Sequence, residues 1–395
     1  MELISNHVNI DTGRQESTFD AVYPLSERFK IADPRKWSDG HPWAYYKWLR
    51  ETAPVAWEPS NHKFFDGMWV VTRYEDVKQV ELNSAIFSSQ RGSIHMSISD
   101  KRPKFLDQMF DASLNTLINF DAPHHMELRI QHKDFFIPKY VAQLKEKVAK
   151  KIDQLLDDME AAGPVVDLVP MFSEQIPLFT LCEMLGVDEV DRPNVIKWMH
   201  YLEMAQLVGL NPLKTMITKP LFLWRFKKYV KEMFDYGADV MADRRVNPRE
   251  DMLSMIAHAT LDGEPMAQQY LDGSWLLIIF AGNDTSRNSI SGTMRLMKEF
   301  PEQKQMILDD PSLIPRMSME ALRMVSPVIH MRRTATEDTE LNGQKIAKDE
   351  KVVLFYGAAN RDPDIFENPD VFNICLLYTS PSPRDATLSR MPSSA

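Results

Sequence analysis

The sequence predicts a mainly α protein with a small β part, folded as one large domain over residues 1–374. Three observations carry that reading. From Asp121 to about Gly282 the apolar residues recur mostly at helical spacing. Short runs rich in β-branched and aromatic residues, at Val55–Trp57, Met68–Thr72 and Lys351–Tyr356, read as strands. The 395-residue length allows two or three domains, but no linker, repeat or low-complexity break interrupts the chain before residue 375.

Taken in order, Trp43–Arg50 is helical, and Val55–Trp57 and Met68–Thr72 belong to a small sheet. Tyr74–Leu82 returns to helix. Residues 90–118 are polar and irregular, a loop expected to cover a pocket. Asp121 suits an N-cap and Pro123 the first turn of the helix that follows. Helices continue at Val141–Ala162, Phe172–Leu185, Pro193–Leu207, Leu221–Asp243 and Asp251–Thr260. Asn342-Gly343 marks a hairpin between Thr339–Leu341 and Lys345–Ile346, because both turn residues tolerate positive φ. Residues 375–395 hold eight Ser or Pro among 21 and no Gly; with little to bury, they are expected to be a disordered tail.

Composition narrows the function. A net charge of −10 and a pI near 5.6 argue against a general nucleic-acid binder. Two cysteines, Cys182 and Cys375, exclude a disulfide framework and suit a reducing compartment. The first residues lack a basic-then-apolar leader, and no apolar run approaches the roughly 18 residues of a membrane span. A cytoplasmic protein is expected. Gly-x-Gly-x-x-Gly, phosphate-binding Gly-rich and Gly-x-Ser-x-Gly motifs are absent from the sequence, so no nicotinamide or flavin domain is read.

The chemistry concentrates at Phe280–Ser289. Trp275–Ala281 is an unbroken apolar run and apolar residues resume at Ile290, which sets Asp284 and Thr285 in the middle of a core helix. An ionised, unpartnered Asp there would cost roughly several kcal/mol, so a compensating partner or a proton-moving role is expected. Ala281, Asp284 and Thr285 share a helix face, and Ala281 and Gly282 are small enough to admit a flat ligand or O₂. Thr285 can bond back to the carbonyl of residue 281. The plainer alternative is an Asp and a Thr that satisfy nearby backbone. Glu320 and Arg323 can pair at i,i+3; on the residues alone this is an ordinary surface ion pair. His125 and Arg129 share a face, whereas His124 and His125 are adjacent and point apart. With no His-Glu-x-x-His, no metal ligand is assigned.

Five motifs stand in a specific order: Asp121-Ala-Pro-His-His125-Met-Glu-Leu-Arg129, Gly282-Asn-Asp-Thr-Ser-Arg-Asn-Ser289, Glu320-Ala-Leu-Arg323, Met331-Arg-Arg-Thr-Ala335 and Ala359-Asn-Arg-Asp-Pro363. Together they resemble the bacterial cytochromes P450 from about residue 20 to Ile374. The wording looks most like the alkane and fatty-acid terminal hydroxylases, with the sterol side-chain and terpenoid hydroxylases next. The resemblance implies a P450-like fold, haem b as cofactor, O₂ and a small apolar substrate. It gives Asp284 and Thr285 the proton relay and places Ala281 and Gly282 beside the haem. It makes His125, Arg129 and Arg333 the cationic set for the propionates, with Arg332 as a solvent-facing or structural residue able to exchange roles. It makes Glu320–Arg323 a structural anchor. It also implies a monomer served by a separate ferredoxin and ferredoxin reductase, docking near Arg129, Lys133 and Arg323. A mobile lid is implied at Leu207–Leu213, and pocket-covering regions at Met96, Met204 and Met216.

The chain departs from the family at the Phe-Gly-x-Gly-x-His-x-Cys-x-Gly loop, which is due shortly after Ile374 and is absent. Cys375 is rejected as the thiolate ligand, because Leu376, Leu377 and Tyr378 follow it in place of glycines. Cys182 reads as an ordinary buried cysteine. Residues 375–395 are therefore read as frameshifted, misassembled or foreign sequence. The alternative of another class is a truncated, non-catalytic relic.

Overall fold

Alternation along one strand organises the β part. The computed structural model describes residue 31 and residues 40–59, 67–93, 107–203 and 220–376. A five-stranded sheet runs in the order β1 (Val55–Glu58), β2 (Met68–Val71), β9 (Lys351–Phe355), β6 (His330–Ala335), β3 (Phe87–Ser88). The β2–β9 pair is parallel and the other pairs are antiparallel. Val352 and Leu354 turn to one face with Tyr74, Val77 and Val80 of α2 (Tyr74–Leu82). Val353 and Phe355 turn to the other with Tyr45, Tyr46 and Leu49 of α1 (Trp43–Thr52). The period of two thus gives each helix its own apolar face. A separate hairpin, β7 (Thr339–Leu341) and β8 (Gln344–Ile346), turns at Asn342 and Gly343 with φ of 49° and 75°.

The helical part is built around α10 (Gln268–Glu299), 32 residues long. Before it come α3 (Asp107–Leu114), α4 (His124–His132), α5 (Pro138–Ala162), a π turn at Val169–Ser173, α6 (Gln175–Leu185), α7 (Arg192–Glu203), α8 (Pro220–Val246) and α9 (Met252–His258). After it come α11 (Pro301–Asp309), α12 (Ile314–Val325) and α13 (Tyr356–Ala359). The α10 axis packs on α3, α6, α8 and α12. Its indole Trp275, fully buried, donates Nε1–H to the Met233 carbonyl at 2.9 Å. Close approach requires glycine at Gly237 and Gly273 among other positions. A Cβ on Gly237 would lie 2.6 Å from the Trp275 ring, and one on Gly273 2.2 Å from the Asn115 carbonyl oxygen.

The structure differs from the sequence reading at several elements. Asp121 is not an N-cap, because α4 starts after Pro123 and the Asp121 carboxylate turns to Ser88 and Ser89 instead. The expected loop over 90–118 contains helix α3 and a 3₁₀ turn at Leu117–Asn119; residues 94–106 lie outside the described residues. Packing of Ala112 into the main core holds so short a helix, and local propensity does not announce it. His330–Ala335, read only as a motif, is an inner strand of the sheet, because its neighbours β9 and β3 supply its backbone partners. The helix expected to reach Thr260 stops at His258, and Thr260–Leu261 (β4) pairs with Glu264–Pro265 (β5) around Asp262-Gly263. The lid at Leu207–Leu213, Met96, Met204, Met216 and the tail beyond residue 376 lie outside the described residues. Among the described residues no helix is long and apolar enough to cross a membrane.

Burial lowers the imidazole pKa of His41 and of His330 from 6.5 to about 4. Positive charge on Arg361 and Arg295 adds to the effect at His41. The His330 ring lies 5.8 Å from that of Phe355, and its buried Nδ1 has no partner among the described residues. Both groups fold neutral. Between pH 6.5 and about 4 the unfolded chain takes up protons that the folded chain does not, so stability falls as pH drops through that window. At about 1.4 kcal/mol per tenfold change in proton affinity, each histidine contributes a loss of up to roughly 3 kcal/mol. Urea midpoints from pH 7 to 4.5 are expected to fall, and to fall less in His330→Phe. Identical pH slopes for the two proteins would refute the assignment to His330.

Candidate active site

Helix α10 presents three distinct faces where the sequence concentrates its polar residues. Asn283 is 1% exposed, on the core side with Ile279, and neither atom of its amide has a partner among the described residues. Gly282 is on a second face; with Ser286, Ile290 and residues Ile176, Thr180 and Leu181 it lines an apolar cavity of about 280 Å³ against α6. A Cβ at Gly282 would sit 3.0 Å from Leu181, so the glycine serves the α6–α10 contact. Ala281, Asp284, Thr285 and Asn288 form the third face, which is partly open.

Asp284 is thus not buried as expected: its side chain is 38% exposed. The compensation it requires is local. Arg287 pairs with it at 2.5 Å and Asn288 donates to the same oxygen at 3.2 Å, both one turn along the helix. The Thr285 hydroxyl donates to the Ala281 carbonyl at 3.0 Å. Ser289 and Thr293 repeat that bond one and two turns on, and the helix runs unbroken through all three.

A second group sits on α4. Asp121, before the helix, accepts from the Ser89 amide at 3.0 Å and from the Ser88 hydroxyl at 2.5 Å, which stitches the start of α4 to β3. His125 and Arg129 follow one turn apart. Burial, then the nearby Arg129 charge, lowers the His125 pKa. Among the described residues the Arg129 guanidinium has no carboxylate within ion-pair distance. His124 points elsewhere, to Asp262 at 3.1 Å.

Arg333 and Arg332 face opposite sides of the sheet. Arg333 lies opposite Val352, on the α2 side, where it approaches Glu81 at 3.5 Å; the Tyr356 hydroxyl donates to the same Glu81 oxygen. Arg332, 4% exposed, lies opposite Val353, on the α1 side, and its backbone N–H donates to Ser93 at 2.6 Å. No described contact joins Arg333 to His125 or Arg129.

Glu320 and Arg323 are not a surface pair. They are 0% and 4% exposed, and Arg323 forks onto both carboxylate oxygens at 2.8 Å. Arg323 also donates to the carbonyls of Asn360 and Pro369, at 2.8 and 2.7 Å, and its guanidinium lies 5.0 Å from the Phe366 ring centre. So buried a side chain cannot belong to a docking patch; of the three basic residues expected there, Lys133 is exposed and Arg129 half-buried.

The donors on α4 fit a carboxylate such as a propionate: an imidazole and a guanidinium one turn apart, with no internal carboxylate on Arg129 among the described residues. The cysteines do not fit an axial thiolate. Cys182 is fully buried in α6, where burial pushes its thiol up to about 11. Cys375 is exposed.

A family model described as Cytochrome P450 matches residues 312–375. The steroid C26-monooxygenase of Rhodococcus jostii is 30% identical over 373 residues, covering 93% of this chain and 75% of that protein. The methyl-branched lipid omega-hydroxylase of Mycobacterium tuberculosis is 31% identical over 345 residues, covering 85% of this chain and 75% of that protein. Among solved structures, the Mycobacterium marinum cytochrome P450 CYP268A2 in complex with pseudoionone superposes with a TM-score of 0.75 at 28% identity, covering 90% of this chain and 85% of that one.

Proposed function

The chain belongs to the cytochrome P450 family of haem monooxygenases, and from that premise we propose that it hydroxylates an alkane or fatty acid near the chain end. The observation that carries the reading is the Ala281–Asp284–Thr285 face. It combines a small side chain, a half-exposed carboxylate and a hydroxyl within one turn of a core helix. Haem of the b type, once held, would supply oxygen activation. The chain supplies the rest. Asp284, open to solvent and countercharged by Arg287, receives protons from water. The neighbouring Thr285 hydroxyl, released from its bond to the Ala281 carbonyl, passes a proton on and takes its replacement from Asp284. His125 and Arg129 would hold the propionates, and Arg333 would join them on giving up its Glu81 contact. Electrons come from a ferredoxin and its reductase, and the protein acts as a cytoplasmic monomer of one domain.

Support for chain-end chemistry comes from two relatives, a methyl-branched lipid omega-hydroxylase and a steroid C26-monooxygenase. A sterol or terpenoid substrate is the second reading. The test is incubation with ferredoxin, reductase, NADPH and ¹⁸O₂ on a panel of alkanes, fatty acids, sterols and terpenoids. The expected product is a terminal alcohol carrying ¹⁸O, formed only when ferredoxin is present. Thr285→Ala is expected to keep consuming O₂ while product per NADPH falls roughly a hundredfold. Labelled product from sterols or terpenoids alone moves the assignment to the second reading. Absence of haem uptake and of every product leaves the non-catalytic relic.

A further inference from the structure

We propose that His124, Glu127 and Asp262 bind one divalent transition-metal ion of the zinc type, which ties the β4–β5 hairpin to α4. The three ligand atoms lie within 4.8 Å of one another. His124 and Glu127 are three apart on the first turn of α4 and share a face. Asp262 comes from the hairpin turn, 135 residues further along the chain from Glu127. The His124 Nε2 is 3.1 Å from each Asp262 oxygen.

The scaffold that brings them together does not depend on the ion. Gln131, one turn further along α4, pairs its amide with the Thr260 backbone in both directions at 2.8 Å. The Asp262 backbone N–H donates to Glu127 at 2.9 Å. Two residues of the hairpin are therefore held against the helix, and the carboxylates converge as a consequence.

That convergence is electrostatically incomplete. Among the described residues neither Glu127 nor Asp262 pairs with a lysine or arginine; His124 is the cation-capable neighbour. With a neutral imidazole the cluster carries two negative charges, which a divalent ion balances. One imidazole nitrogen and two carboxylate oxygens suit Zn²⁺ and its first-row neighbours, whereas Mg²⁺ and Ca²⁺ favour all-oxygen sites. The Asp262 side chain is 71% exposed, so the ion has access and water completes its shell. Because His125 and Arg129 lie on the same helix, the ion also steadies the segment that carries them.

The experiment is calorimetric titration of the tag-free chain with zinc chloride, together with melting curves. One equivalent is expected to bind, with a melting midpoint that rises with zinc concentration. His124→Ala and Asp262→Ala are each expected to weaken binding about tenfold or more. Glu127→Gln keeps an oxygen for the Asp262 N–H, so it separates ligation from folding. It should melt like the parent without zinc and gain less from it. The proposal is overturned if the parent binds no zinc at about 0.1 mM, the result for a simple His–Asp ion pair. Equal binding by the parent and all three variants overturns it too, since the ion would then sit on other histidines.

Discussion

Replacing Arg323 with alanine is expected to destabilise the protein by about 3–5 kcal/mol, because it strands a buried carboxylate. Glu320 is 0% exposed and takes both its charge balance and two hydrogen bonds from this arginine. The same guanidinium gathers the carbonyls of Asn360, Pro369 and Val371, and Glu320 accepts from the Asn373 amide at 3.0 Å. The pair thus fastens residues 360–373 to α12, and the loss should be visible as proteolysis within that segment. Glu320→Gln retains an acceptor for the Asn373 amide and should cost less. The double variant Glu320→Leu/Arg323→Met should recover part of the loss, because it buries no unpaired charge. Urea unfolding free energies decide it: a loss below about 1 kcal/mol in Arg323→Ala would mean the pair is worth no more than one at the surface.

Asp251→Ala is expected to have an effect of similar size, about 3–5 kcal/mol, through two losses at once. Asp251 is 5% exposed; it caps α9 by accepting from the Ser254 amide at 2.7 Å, and it neutralises Arg244 at 2.8 Å. Among the described residues Arg244, 3% exposed, then keeps only the partly exposed Asp243 at 2.9 Å and the Gly186 carbonyl at 3.2 Å. Asp251→Asn preserves the cap oxygen and removes the charge, so it should fall between the parent and Asp251→Ala. A related constraint is Gly186, which ends α6 at φ +67°; a Cβ there would lie 2.3 Å from the Asp251 carboxylate. If Asp251→Ala unfolds at the same urea concentration as the parent, the cap and the ion pair both fail as explanations.

Much of the architecture could be read in advance where local signals are strong. Tyr74–Leu82 is helical over the residues expected, and Asn342-Gly343 makes the turn its composition demands. The 32-residue α10 and the Thr285-to-Ala281 bond follow from helical spacing and from the tendency of threonine to bond back one turn. The family came from five short motifs whose order, not whose individual residues, was informative.

Other features depend on contacts across the chain. Whether Glu320–Arg323 is buried or exposed cannot be told from an i,i+3 spacing, because the segment 360–373 that covers it lies about 40 residues away in sequence. Asp284 shows the reverse. Its flanking apolar run argued for burial, but consecutive helix positions turn about 100° apart, and the buried amide belongs to Asn283. The Asp262-Gly263 turn carries the same sort of signal as Asn342-Gly343 and could have been found in the same way.

By itself the sequence determined the family and the helical class, and it nominated the groups proposed to move protons or hold anions, since these rest on residue type and short-range spacing. The tertiary structure decided which of those groups are buried and which partners they meet. Strand pairing set Arg332 and Arg333 on opposite faces, and hairpin docking brought Asp262 to His124 and Glu127. Burial and charge pairing are sums over neighbours distant in sequence, and only the folded chain fixes that sum.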